Sequence, residues 1–108
     1  MTTLTKDISE VVNDRIRHDP ALAVMLLDEA LSLFLNGEPD TARLILRDLV
    51  NATIGFEGLA IATAKSSQSL NRMLSAKGNP SMDNLTVILT VLRRELQVDI
   101  RVQTIACA

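Results

Sequence analysis

Apolar residues recur three and four apart over most of the chain, the period of a helix with one covered face. Ile8, Val11, Val12 and Ile16 form such a stripe and predict a helix from Asp7 to His18. Asp19 is placed to cap the next helix, with Pro20 at its first position, where a missing N–H costs nothing. That helix is expected to run to about Asn36, with Gly37 as its stop. Between Ala21 and Leu35 only Asp28, Glu29 and Ser32 are polar. A helix with so narrow a wet face is buried on more than one side, at the centre of the domain or against a partner. Pro39 opens a third helix, about Asp40 to Thr53, with Ala42, Ile45, Leu46, Leu49 and Val50 inward and Gly55 at its end. Two shorter helices, roughly Phe56 to Ala64 and Ser66 to Ala76, lead to the loop Lys77-Gly78-Asn79-Pro80. Ser81 is then placed to cap a last helix through Arg94, which turns Met82, Leu85, Ile88, Leu89 and Leu92 to the core.

Past that helix the period changes to two. Val98, Ile100 and Val102 alternate with Asp99, Arg101 and Gln103, as in a half-buried strand. No second strand is readable elsewhere. A lone strand presents unpaired N–H and C=O groups to another chain, so Val98, Ile100 and Val102 are the expected dimer interface. The alternatives are a frayed tail and a dimer joined through the helix at 21–35.

The two short helices carry the most information. Leu59, Ala60, Thr63, Ala64, Leu70, Met73 and Leu74 fall where two crossed helices must touch. Ser66, Ser67, Gln68, Asn71 and Arg72 fall outward. A helix that enters a major groove needs short hydrogen-bonding groups of this kind near its start. Gln and Asn match the edge of adenine, and Arg that of guanine. Any packed pair of amphipathic helices shows similar spacing, but residues 58–82 hold no acid, and their only charges are Lys65, Arg72 and Lys77. A solvated helix pair ordinarily carries both signs. The expected DNA contacts are therefore Lys65, Ser66, Ser67, Gln68, Asn71, Arg72, Ser75, Lys77 and Asn79.

Residues 43 to 102 resemble the lambda-repressor-like antidote proteins of chromosomal toxin–antitoxin (addiction) modules. The resemblance rests on Leu59-Ala60, Ser69-Leu70 with Arg72, Leu74-Ser75, Gly78-Asn79-Pro80, and Leu85 to Leu92 followed by Val98. The order Leu-Ser, two variable residues, Gly-Asn-Pro is its specific part. Asp19-Pro20 with Leu27-Asp28-Glu29-Ala30-Leu31 is similar to the helix that precedes this module in the same group. The chain departs from the family at two places. Ala64-Lys65 stands where the family usually has Gly-Leu at the corner, and Glu95-Leu96 where it usually has a Gly before the strand. The resemblance implies a cytoplasmic bacterial antitoxin that neutralises a small basic toxin, binds operator DNA as a homodimer and represses its own operon.

Composition and charge narrow the choice. The 108 residues suit one domain, expected as an acidic helical extension over 1–40, a DNA-binding core over 41–96 and a strand over 97–105. Only Phe34 and Phe56 are aromatic, so the core is aliphatic. The net charge of −2 divides by count into −5 over residues 1–40 and +3 over residues 41–108. A basic half suits phosphates and an acidic half suits a basic protein partner, and the small excess makes DNA binding by one subunit weak. Cys107 is the only cysteine, which forms no internal disulfide and suits a reducing cytoplasm. Met1 to Asp19 mixes charges without an apolar run, so no signal peptide is expected, and residues 21–35 are too short for a membrane span.

Chemistry-bearing residues are sparse. His18 is the lone histidine, a single cysteine cannot build a thiolate zinc site, and Asp28-Glu29 point to different sides of a helix. No enzyme, metal or cofactor is expected. The sequence therefore reads as an all-α, lambda-repressor-like helix-turn-helix domain with added N-terminal helices and a short C-terminal strand. It reads as an antitoxin and repressor. The alternatives are a stand-alone dimeric repressor of the same fold and an interaction module whose helix-turn-helix is degenerate.

Overall fold

Six helices follow one another in residues 8–108, the part of the chain that the computed structural model describes. They are α1 (Ile8–Arg17), α2 (Pro20–Leu35), α3 (Pro39–Ala52), α4 (Gly55–Thr63), α5 (Ser67–Met73) and α6 (Met82–Leu96). The protein is all-α over these residues, and the starting residue expected for the first helix, Asp7, lies outside them.

The helix starts follow local chemistry. Asp19 caps α2 by accepting from the Leu22 N–H at 3.2 Å, with Pro20 at the first position. Ser66 and Ser81 cap α5 and α6 in the same way, accepting from the N–H groups of Ser69 and Asn84. Each hydroxyl or carboxylate satisfies one of the donors that a helix start leaves without an internal partner.

One aliphatic core runs through the molecule, from Ile16 on α1, through Ala23, Leu27 and Ala30 on α2 and Leu46, Leu49 and Val50 on α3, to Leu59, Leu70, Leu74, Ile88 and Leu92. Helix α3 is the hub: α1, α2 and α4 all pack on it, α5 packs on α4, and α6 closes against α4 and α2. The helices of 1–40 are thus built into the same core as the rest.

Several expected inward positions lie outside it. Ile8 is 79% exposed and Val11 is exposed too, because only the second half of α1 (Val12, Ile16) is covered. Met82 is exposed in the first turn of α6, and Val91 takes a buried place instead. Gly55 does not end α3: Thr53 is its C-cap, and Gly55, at φ +75°, starts α4. The apolar α2 buries Ala23, Leu27 and Ala30 but leaves Val24, Met25 and Leu35 at the surface beside Asp28 and Glu29.

The expected strand at 98–102 is absent. Residues 98–108 have no regular secondary structure, because no second strand exists among the described residues to pair with them. The alternation survives in the burial: Val98 and Ile100 are half-buried against the core, and Asp99 and Arg101 are exposed. Val102 is 65% exposed.

Two non-glycine residues have left-handed backbones, Ala64 (φ 57°, ψ 34°) closing α4 and Gln97 (φ 57°, ψ 48°) closing α6. Such a conformation costs about 1–2 kcal/mol for a residue with a Cβ, and glycine escapes it while losing about 0.5–1 kcal/mol in chain entropy. Ala64→Gly is therefore expected to raise stability by up to about 1 kcal/mol. The midpoint of chemical denaturation measures it, and a lower midpoint would refute the strain at this corner.

Candidate nucleic-acid interface

The corner between α4 and α5 is made of Ala64, Lys65 and Ser66. The chain turns there because Ala64 goes left-handed and the Lys65 N–H bonds the Ala60 carbonyl at 3.3 Å. Helix α5 then has a covered and an open face. Leu70 is fully buried, as is Leu74 at its C-cap, and Met73 packs against them. Gln68 and Arg72, four residues apart and so on one side of the helix, are exposed. Asn71, Ser67 and Ser75 are half-buried. Lys77 and Asn79 stand exposed in the following loop, and Lys65 is half-buried at the corner.

Two of the expected contact residues already have local work. The Ser66 hydroxyl accepts the Ser69 N–H at 3.0 Å, and the Ser75 hydroxyl donates to the Arg72 carbonyl at 2.7 Å. Their oxygens shape the ends of α5, and Gln68 and Arg72 are its exposed planar heads, with the Asn71 amide half-buried. Helix α5 is also shorter than expected. It stops at Met73 rather than Ala76, since from Leu74 the chain tightens into successive turns, with the Ser75 N–H bonded to the Arg72 carbonyl and the Gly78 N–H to the Ser75 carbonyl.

The end of α5 is held from below by α3. Arg43, 6% exposed, donates from Nε to the Ser75 carbonyl at 3.0 Å and from Nη2 to the Ala76 carbonyl at 2.9 Å. The same Nη2 meets the Asp40 carboxylate at 2.7 Å. One turn further along α3, Arg47 donates to the Asn71 carbonyl at 3.1 Å, and its guanidinium carbon lies 5.6 Å from the centre of the Phe56 ring. Cations at a helix C-terminus satisfy carbonyls that have no partner in the helix and oppose its dipole. Gly78 completes the clamp, because a Cβ there would lie 2.2 Å from the Met73 carbonyl oxygen. Only a residue without a side chain lets the loop pass so close.

Sequence reasoning missed Arg43 and Arg47 and counted both among the charges available to phosphate. A signal was present: Arg43, Leu46 and Val50 share one helical face, so an arginine sits in an apolar stripe. A buried arginine has to find acceptors, and the ends of neighbouring helices supply them.

The remaining chemistry-bearing groups are scattered. His18 is exposed and its Nδ1 lies 2.7 Å from the Asp14 carbonyl oxygen, and Cys107 is exposed in the tail. Among the described residues no three His, Cys, Asp or Glu side chains converge on a metal position, and no helix is long and apolar enough to cross a membrane. Neither a family model, nor a curated protein, nor a solved structure matches the chain.

Removing the clamp takes the Arg43 donors from the carbonyls of half-buried Ser75 and exposed Ala76 and empties the covered space that the side chain fills. Arg43→Ala is therefore expected to cost about 1–3 kcal/mol of folding stability, whereas the exposed Arg94→Ala changes it by less than about 0.5 kcal/mol. Urea denaturation of the two variants compares them. Equal small losses would show that Arg43 does not hold α5.

Proposed function

We propose that this protein is a sequence-specific, double-stranded DNA-binding repressor whose α4–α5 pair acts as a helix-turn-helix, and that it is the antitoxin of a two-component module. The observation that carries the reading is the geometry of α5. Its buried face and its clamped end fix the backbone, and Gln68 and Arg72 project from it as exposed planar recognition groups, with Asn71 half-buried beside them. Residues 58–82 bring no acid to that side of the sequence. Base readout needs a rigid helix with such heads, because a good bidentate contact discriminates only when its side chain cannot wander.

Two further observations favour the family reading. Where the lambda-repressor-like antidotes carry glycine at the corner, this chain places Ala64 in the conformation that glycine adopts most easily. Beside Glu95-Leu96, where they carry their other glycine, Gln97 does the same. At the first place the backbone keeps the left-handed turn although the residue has changed; at the second it comes later, since Glu95 and Leu96 are still helical. The antitoxin role draws on α2, whose exposed Val24 and Met25 lie beside exposed Asp28 and Glu29. A mixed apolar and acidic face of this kind suits a small basic protein, the toxin. The protein acts as a cytoplasmic homodimer, since one seven-residue helix reads too few base pairs to select an operator.

Gel shift against the DNA upstream of its own gene tests the DNA reading, and rescue of growth during expression of a small basic protein encoded beside it tests the antitoxin role. Gln68→Ala and Arg72→Ala are each expected to cost about 1–3 kcal/mol in operator affinity and to relax preference at one position of the half-site. Unchanged affinity for operator and scrambled DNA in both variants would remove these residues from base readout.

Lys77 belongs to a different class of contact. It is exposed in the loop that Gly78 and Arg43 hold against α5, where it reaches a phosphate rather than a base. Lys77→Ala is expected to weaken binding equally across sequences and to lower the slope of log affinity against log salt by about one unit. A loss confined to the operator, with the slope intact, would contradict that role.

A further inference from the structure

The tail after α6 lies over α2 and α6 with its main chain unused. Beyond the Val98 N–H, which bonds the Arg93 carbonyl, no backbone hydrogen bond engages residues 99–108. Grooves flank it on both sides. One of about 540 Å³ is bordered by Leu31, Leu35, Val102 and Ile105, and another of about 540 Å³ by Thr86, Leu89, Thr90 and Arg93. Val98 and Ile100 face the core, while Asp99 is 90% exposed at its side chain. Arg101 is exposed and has no ion-pair partner among the described residues, although Asp28 borders the same groove.

We infer that a second copy of this chain pairs with this segment as an antiparallel strand, in the register centred on Ile100. The inference deepens the homodimer of the proposed function by naming its joint. The order Val98-Asp99-Ile100-Arg101-Val102 is self-complementary when reversed. With Ile100 opposite the partner copy's Ile100, each Asp99 stands opposite an Arg101 and each Val98 opposite a Val102. Residues directly opposite in an antiparallel pair share a face, and opposite charges there attract while like charges repel.

The other registers fail for definite reasons. Centring on Asp99 puts two carboxylates together, and centring on Arg101 puts two guanidinium groups together. Centring on Val102 opposes neither charge to its complement. A register centred between residues sets apolar side chains against charged ones and breaks the two-faced pattern. Only the Ile100 register places both charge pairs on the outer face and all six apolar side chains on the inner one. The Arg93–Asp99 contact at 3.3 Å is compatible with it, since it engages Oδ1 and leaves the second carboxylate oxygen of Asp99 available. A two-stranded ribbon is marginal by itself, but this one rests on α2 and α6 and covers Val102.

The test uses the full chain with Cys107→Ser, so that no native thiol interferes. In that background Ile100→Cys is expected to oxidise to a disulfide-linked dimer, because residues opposite in an antiparallel pair lie about 4.5–5.5 Å apart at Cα, within disulfide reach. Val98→Cys and Val102→Cys should each stay unlinked alone and cross-link when mixed. Asp99→Arg or Arg101→Asp should weaken the dimer roughly tenfold in sedimentation, and the double exchange should restore it, with far-ultraviolet circular dichroism confirming the fold. A monomeric wild-type chain, cross-linking at another position in preference to Ile100, or a double exchange that fails to restore the dimer would overturn the register. The measurement needs no DNA. A dimer that ignores the operator leaves this joint standing and removes the DNA reading, and operator binding by a monomer does the reverse.

Discussion

The Arg43 guanidinium is almost wholly inside the protein, where it meets two carbonyls at the end of α5 and one carboxylate. A charge taken out of water is costly unless hydrogen bonds replace the solvent, so its position admits few alternatives. Moving α5 relative to α3 by one turn would strand the guanidinium among Leu46 and Val50 and strand the carbonyls as well. The aliphatic core around it lacks that selectivity. Leu, Ile, Val and Ala side chains repack with small losses, and only two aromatic rings are present to give the interior shape. Directional specificity between α3 and α5 thus comes from Arg43 and Arg47, and hydrophobic burial supplies the cohesion.

That division explains the unusual economy of α5. Seven residues make barely two turns, far below the length at which a helix holds together alone in water. It is held by Ser66 at its start, by Leu70 and Leu74 on its inner side, and by two arginines at its end. Gly78 then brings the loop back against the carbonyls of Arg72 and Met73, which sets where Lys77 and Asn79 emerge. The outward groups are presented by a backbone with little freedom left.

Most of the fold was legible because it is written in period and caps. The stripes of α3 and α6, the Asp19-Pro20 and Ser81 starts and the paired short helices are local features, and they appear within a residue or two of where the pattern put them, except that α5 ends three residues early. What was illegible depends on partners distant in sequence. Nothing near Arg43 says that Ser75 and Ala76 will be its acceptors, 32 and 33 residues away. The exposure of Ile8 and Met82 depends on where the neighbouring helices end, and periodicity carries no information about that. The strand failed for a related reason: alternation selects which side chains turn inward, but a ladder requires a second chain. For the candidate site, the exposure of Gln68 and Arg72 was legible from α5 itself, whereas the half-burial of Ser67 and Asn71 and the local duties of the Ser66 and Ser75 hydroxyls emerged only with the packing and turn geometry.

Counting charges after folding changes what one subunit can do. Of the eight bases in residues 41–108, Arg43 and Arg47 serve the interior and Arg93 pairs with Asp99. Arg72 and Lys77 are the exposed cations of the α5 face and its loop. Two cations release few counterions from a duplex, so affinity would be weak for a single copy and only shallowly dependent on salt. On the proposed reading, a sequence that commits its arginines to positioning α5 would need to double the face, and main-chain hydrogen bonds stand unmade in residues 99–108. Under the inferred pairing, a tail with alternating burial, a main chain unused beyond Val98 and reversed-order charge complementarity would supply that joint without further basic residues. Under that proposal, rigidity within the subunit and pairing between subunits would answer one shortage of charge.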